Sequence, residues 1–411
     1  MTERTVTHRL NLDTSAGRQR RMRFIAVAWG INVLAYSIVY PFLPIYLHTI
    51  RDIPMSTVGL IFPVMGLATI IGSPVSGWLS DRIGRRGLMV IGPLGRCGSF
   101  FLLAWMAAVD GPFWGFVLGL FLATFLGKFF QCASNAYITD LLPEEERLSA
   151  FNMVHVGSNI GWMIGPALGA FLARTPYSLM FSITALLCLA TAAIAMFYCP
   201  KIPFGDNDCP VSCTNAGTLI SVLRRDTMML MLSLLTLCLF FSISQFATTL
   251  SVYATEIVGI AKTSLGFLYT INGAMIILFL MPVNSALKKY NLYIRISAGA
   301  LLYTMAFMGF GVSTTWIHLA LAMIVMTFGE ILSLTAILSA VSRLAPSNMV
   351  GRYMGTHSLV EGLGWAIGPF IGSLLFEQFR SQGFLLWVLL SGFALIAGAG
   401  FFSMAGRRFS G

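Results

Sequence analysis

Long apolar runs separated by short polar turns fill this chain. Residues 24–50, 53–80, 227–255, 263–287 and 381–406 contain no Asp, Glu, Lys or Arg. A helix needs about 20 apolar residues to cross a bilayer, and each run exceeds that. The pattern predicts an all-α membrane protein with twelve transmembrane helices, over 24–48, 54–80, 87–109, 112–141, 147–173, 176–199, 227–255, 263–287, 292–313, 315–344, 350–376 and 382–405. Gly and Pro recur inside these spans, which membrane helices tolerate better than soluble ones. The one long polar loop, 200–226, holds Pro200, Pro203, Gly205, Pro210 and Gly217. It separates a first six-helix bundle (24–199) from a second (227–405), with a polar segment 1–23 before them and a short tail 406–411 after.

An internal repeat supports that division. Gly161-Trp-Met-Ile-Gly-Pro-Ala-Leu-Gly169 in the fifth helix returns as Gly364-Trp-Ala-Ile-Gly-Pro-Phe-Ile-Gly372 in the eleventh, and Pro143 maps onto Pro346 at the same offset. Two pseudo-symmetric halves are therefore expected. Composition agrees: 57% of residues are hydrophobic, 10% are charged and mean hydropathy is +0.80. A soluble domain carries about 25% charged residues and has no core large enough to hide this much apolar surface.

Basic residues set the expected orientation, because Lys and Arg accumulate in cytoplasmic loops. With the N-terminus inside, 20 of the 26 Lys and Arg residues fall on the inner face and 4 on the outer, while Arg96 and Lys128 lie within spans. Both termini are expected in the cytoplasm and the chain in the cell's inner membrane. The net charge of +10 is accounted for by this asymmetry, so no nucleic-acid partner is inferred. Arg18, Arg20, Arg21 and Arg23 suit anionic headgroups of the lipid bilayer. No cleavable leader is expected, since the first apolar run is full length. The seven cysteines are mostly intramembrane, and Cys209-x-x-x-Cys213 without a second pair is a weak metal signal. No P-loop, nucleotide-binding domain or redox-metal cluster is visible. No metal or cofactor is expected, and the chain does not read as an enzyme.

The turn Gly77–Arg86, GWLSDRIGRR, gathers one acid and three arginines between two apolar runs. Arginines alone would do no more than anchor a membrane face. The G-x-x-x-D-R-x-G-R-R spacing, however, resembles the loop between the second and third helices of the major facilitator superfamily. That resemblance implies two six-helix bundles around a central cavity and secondary transport by alternating access. It also implies a cytoplasmic gate built from Gly77, Asp81, Arg82, Gly84, Arg85 and Arg86, with Asp140 a salt-bridge partner for Arg82 or Arg85. Asp81 is expected to engage the other half near the N-terminus of the eleventh helix, where the helix dipole favours a carboxylate. The second half keeps only a remnant of the turn, Lys288 and Lys289.

Gly161, Gly165, Pro166 and Gly169, with Gly364, Gly368, Pro369, Gly372 and the upstream Gly355, resemble the superfamily's antiporter motif. Asn152, Ala170 and Ser373 depart from it. Small residues four apart let helices approach closely, and proline bends a helix. In the family this motif accompanies proton-linked export.

Charges within spans are costly and mark function by default. Lys128 shares a helix face with Gln131 and Asn135 and resembles the family's fourth-helix basic residue, normally Arg; unlike Arg, a lysine can lose its proton. Glu330 in the tenth helix falls one position from the residue equivalent to Lys128, so the two are expected to face each other across the cavity. Glu361, one turn from His357, is the third candidate for proton coupling, because burial disfavours a carboxylate's charge. Polar residues are expected to line the substrate cavity: Asn32, Tyr36 and Tyr40 on one face of the first helix, Gln131 and Asn135 in the fourth, Gln245 and Thr248 in the seventh, Tyr269 and Asn272 in the eighth, and His357 in the eleventh. No dense cluster of intramembrane arginines awaits a phosphorylated substrate. The resemblance is closest to the twelve-helix drug:proton antiporters, monomers that exchange protons for lipophilic or cationic small molecules. A proton symporter importing a metabolite, peptide or siderophore-like compound fits the same fold, whereas nothing encourages a non-transporting receptor.

Overall fold

The structure, a computed structural model, describes residues 15–200, 222–224, 226–346 and 349–406. Within them the chain folds into twelve long helices: α1 (Ser15–Val39), α2 (Met55–Gly59 and Ile61–Ile83), α3 (Arg85–Ala108), α4 (Phe113–Leu141), α5 (Glu144–Leu172), α6 (Tyr177–Tyr198), α7 (Thr227–Ile243), α8 (Lys262–Ala286), α9 (Leu292–Gly311), α10 (Trp316–Leu344), α11 (Val350–Phe379) and α12 (Gly383–Ala405). Among the described residues eleven helical spans are long and apolar enough to cross a membrane. The exception is α5, whose middle turns carry Asn152, His155, Ser158 and Asn159. Most of the linker 200–226 and the tail 407–411 lie outside the described residues.

Helix α1 starts nine residues before the span expected from 24. Arg, Gln and Met are good helix formers, so the helix continues beyond the apolar run, and Arg18 pairs with Glu146 at 2.8 Å. Its other end breaks at residues 40–42, where Pro41 lacks an N–H and obstructs the preceding turn, and resumes as short turns over Leu43–Ile45 and Tyr46–Ile50. Helix α7 breaks at the equivalent place without proline. There Gln245 Nε2 donates to the Phe241 carbonyl at 2.7 Å and Thr248 Oγ1 to that of Ser244 at 3.2 Å, side-chain bonds that compete with the helical ladder. Between α2 and α3 the chain reverses at Gly84, whose φ of +92° suits only glycine.

Two groups of helices result. In the first, α1 packs on α5 and α6, α3 on α4 and α6, and α2 on α4; in the second, α9 packs on α10 and α12, α7 on α11 and α12, and α8 on α10. The repeated glycines set the closest approaches. A Cβ on Gly161 would stand 2.7 Å from the Gly30 carbonyl oxygen, and one on Gly165 or Gly169 would collide with Ser37 or the Ile38 carbonyl of α1. In the second half a Cβ on Gly364 or Gly368 would strike Phe240 or Ser244 of α7, and one on Gly372 would strike Gln245. Gly355 is half-buried near the start of α11. The groups meet along two pairs, α2 with α11 and α5 with α8.

Candidate functional site

Between the groups lies a cavity of about 570 Å³, walled by α1, α2, α4 and α5 on one side and by α7 to α11 on the other. Lys128 enters from α4 and Glu361 from α11, so each half contributes an ionisable side chain to the cavity wall. Lys128 Nζ also donates to Gln131 Oε1 at 3.0 Å. Glu330 enters from α10, where Asn272 Nδ2 of α8 donates to it and to Thr327 Oγ1, each at 3.0 Å. The repeat predicts Glu330 opposite Lys128; both line the cavity, and the side-chain hydrogen bonds of each stay within its own half. Lys128 aligns with Ile331, and adjacent residues of a helix point about 100° apart, so Glu330 turns toward α8 instead.

The cavity's far end is aromatic. The repeat places Trp162 and Trp365 at equivalent positions of α5 and α11, and both lie against Tyr40, with ring centroids 6.4 and 6.3 Å away. The Tyr36 ring lies 4.8 Å from Tyr40 and 6.0 Å from Trp162. Tyr303 of α9 lines the cavity near Glu330 with its buried hydroxyl unpartnered. The Gly-Trp pair inside the repeat was the legible sign of the two tryptophans; Tyr303 had none.

Of the residues expected around a substrate, Tyr36, Tyr40, Tyr269 and Asn272 line the cavity. Others do not. Gln245 and Thr248 are buried in the broken end of α7, where Gln245 Nε2 donates to the Gly368 carbonyl at 2.7 Å and ties α7 to α11. A short polar side chain beside a glycine groove serves the groove first. Asn32 is buried behind Tyr36 and accepts from Arg96 at 2.7 Å. His357 is buried near Phe240, ring centroids 6.4 Å apart. Gln131 stays beside Lys128 outside the cavity lining, and Asn135 is exposed one turn farther along α4.

The ends of the molecule differ. At the Gly77–Arg86 turn, Arg85 Nε donates to Asp140 Oδ2 at 3.1 Å and Arg85 Nη1 to Ser80 Oγ at 2.9 Å. Arg82 lies over the Trp78 ring at 4.1 Å rather than on Asp140, and Arg86 donates to the Met196 carbonyl. The side chain of Asp81 lies outside the described residues. The cross-half hydrogen bonds among the described residues gather toward the opposite end. The Met55 amide at the start of α2 donates to Glu377 Oε2 at 2.8 Å, Thr49 Oγ1 donates to Glu256 Oε1, and Arg174 Nη2 donates to Thr263 Oγ1 at 3.2 Å. That end is closed and the cavity leads toward the Gly77–Arg86 turn, past the exposed Ser358 of α11.

Glu377 thus caps the first turn of α2 from the other half, joining a charge-assisted bond to a favourable dipole contact. Glu377→Gln should weaken this closure by about 1–2 kcal/mol, roughly a tenfold shift toward opening. Distances between spin labels across the end should report it. An unchanged distance distribution would show that the cap does not hold the end shut.

A helical membrane protein of two bundles, with a charged cavity between them that is closed at one end, is a transporter of small molecules. The chain belongs to the Major Facilitator Superfamily, whose model matches residues 25–369 and 232–408. It is 25% identical over 394 residues to an uncharacterized MFS-type transporter, YqjV, of Bacillus subtilis (strain 168), covering 93% of this chain and 94% of that one. It is 26% identical over 389 residues to the multidrug resistance protein MdtH of Klebsiella pneumoniae (strain 342), covering 93% of each. Its fold matches the crystal structure of the nucleoside transporter NupG with a TM-score of 0.76 at 14% identity, over 94% of this chain and 100% of that one.

Proposed function

We propose that this protein exports lipophilic, amine-bearing small molecules in exchange for protons, by alternating access. The observation that carries this reading is the cavity itself, with two acids and a lysine on opposite walls and aromatic rings at its closed end. In this scheme Glu330 carries the proton, and protonation competes with binding of a substrate cation. The Lys128–Glu361 pair spans the halves and holds them in register until the cavity is loaded. The excess of basic residues at the open end supports a cytoplasmic location for that end, and in this reading the conformation is inward-facing and ready to load. The Gly77–Arg86 turn would latch this end when the other opens. The glycine motif in α5, its copy in α11 and the similarity to a multidrug resistance protein support export.

The test is transport into proteoliposomes with membrane potential clamped. An inside-acid gradient should drive accumulation of a labelled quaternary aromatic cation, and the opposite gradient should not. Accumulation driven only by an outside-acid gradient would replace antiport with symport.

A further inference from the structure

Besides Lys128 and Glu361, two intramembrane charges beside the cavities have no ion-pair partner among the described residues. One is Glu330, whose hydrogen-bond partner is the neutral amide of Asn272. The other is Arg96 of α3, only 5% exposed. Arg96 Nη1 donates to Asn32 Oδ1 at 2.7 Å, its Nε is buried with no partner, and its guanidinium lies 5.8 Å from the Tyr36 ring. No carboxylate among the described residues pairs with it. A buried guanidinium without a counter-charge is costly, and intramembrane ionisable groups persist where a ligand or ion uses them.

Arg96 is also next to space. It borders a side cavity of about 20 Å³, which shares Tyr36, Tyr40, Met65 and Thr124 with the main cavity. That volume holds one or two atoms the size of water, enough for the leading oxygens of a carboxylate. Tyr36 lines both cavities and is the shared residue whose ring the Arg96 guanidinium faces. Across the main cavity, Glu330 has the unpartnered Tyr303 hydroxyl beside it. The walls are thus polarised. The first half places Lys128 on the main cavity and Arg96 on the side cavity, the second places Glu330 and Glu361 on the main cavity, and Tyr36, Tyr40, Trp162 and Trp365 line the main cavity too.

We propose that the preferred substrates are zwitterionic aromatic compounds, with the ammonium received by Glu330 and a carboxylate by Arg96 behind Tyr36. This rests on the reading of the main cavity as the transport site. It assigns Arg96 the role of specificity determinant, distinct from proton coupling. A guanidinium–carboxylate hydrogen bond in a dry site is among the stronger ones, and its loss reads as a tenfold or larger change in affinity.

The test uses three probes built on one biphenyl: a zwitterion with an aminomethyl group at one end and a carboxylate at the other, its methyl ester, and its N-acetyl derivative. Equilibrium binding to the full-length protein in nanodiscs, without a gradient, should rank the zwitterion about tenfold or more above the ester and above the N-acetyl anion. In Arg96→Gln the ratio of zwitterion to ester should fall to about one, and in Arg96→Lys part of it should return. Equal affinities for zwitterion and ester in the unmodified protein would overturn the proposal, even if Arg96→Gln does not fold. A preference surviving in Arg96→Gln would overturn it too. A zwitterion preference combined with no gradient-driven transport would instead defeat proton-coupled export and leave this assignment standing.

Discussion

Glu330→Gln should abolish gradient-driven transport, lowering accumulation under an inside-acid gradient by on the order of 100-fold, while leaving the folded protein intact. Glutamine keeps an acceptor for Asn272 Nδ2, which now bonds Glu330 at 3.0 Å, so packing between α8 and α10 is preserved. What it removes is the ability to bind a proton and to hold a substrate cation. A charge-assisted hydrogen bond contributes roughly 1.5–3 kcal/mol, and losing it along with the exchangeable proton uncouples the two fluxes. Binding of an uncharged aromatic compound to the same cavity should persist, because Trp162, Trp365, Tyr36 and Tyr40 are untouched. Glu361→Gln should act differently, leaving Lys128 without its opposite charge and changing the balance between inward- and outward-facing states. If Glu361→Gln abolishes the gradient-driven component and Glu330→Gln keeps it, the proton belongs to Glu361.

The second large effect concerns packing. Gly165→Leu should yield little or no monodisperse protein, because α1 occupies the space a side chain needs. A single Cβ there already collides with Ser37 and stands 3.2 Å from the Ile38 amide nitrogen. Backbone cannot rotate away as a side chain can, so α1 and α5 would have to separate. Overpacking a tight core typically costs about 1–3 kcal/mol, and forcing two backbones apart should exceed that range. Gly98→Leu in α3 is the control, since nothing lies within 4 Å of its Cβ position, and it should be purified in normal yield. Equal yields from both variants would show that the α1–α5 approach is not needed for folding.

Much of this architecture was legible because lipid imposes one rule. A chain crossing a bilayer must bury its backbone hydrogen bonds within each segment, so charge-free runs of sufficient length announce helices one by one. The constant offset between Gly161–Gly169 and Gly364–Gly372 announced two related halves. Small residues four apart announced close helix packing, and α5 on α1 and α11 on α7 show it. Intramembrane charge singles out Lys128, Glu330 and Glu361 in the sequence, and all three line the cavity.

Rotation about each helix axis and the state of each end were not legible. A one-residue difference in alignment turns a side chain by about 100°, and Glu330, one position from the residue equivalent to Lys128, takes its hydrogen bond from Asn272 of α8. Hydrogen-bonding partners are also set by neighbouring helices, so Gln245 went to the Gly368 carbonyl and Asn32 to Arg96, away from the cavity to which their polarity alone assigned them. The cap of Glu377 on Met55 joins residues 322 positions apart in the chain, and no local pattern marks it. The sequence alone determined the helices, their pairing into halves and the identity of the costly charges, because those follow from local burial in lipid. Only the tertiary structure decided which polar groups meet, which end is closed and that Arg96 borders the cavities without a carboxylate, because those depend on how the helices rotate and lean against one another.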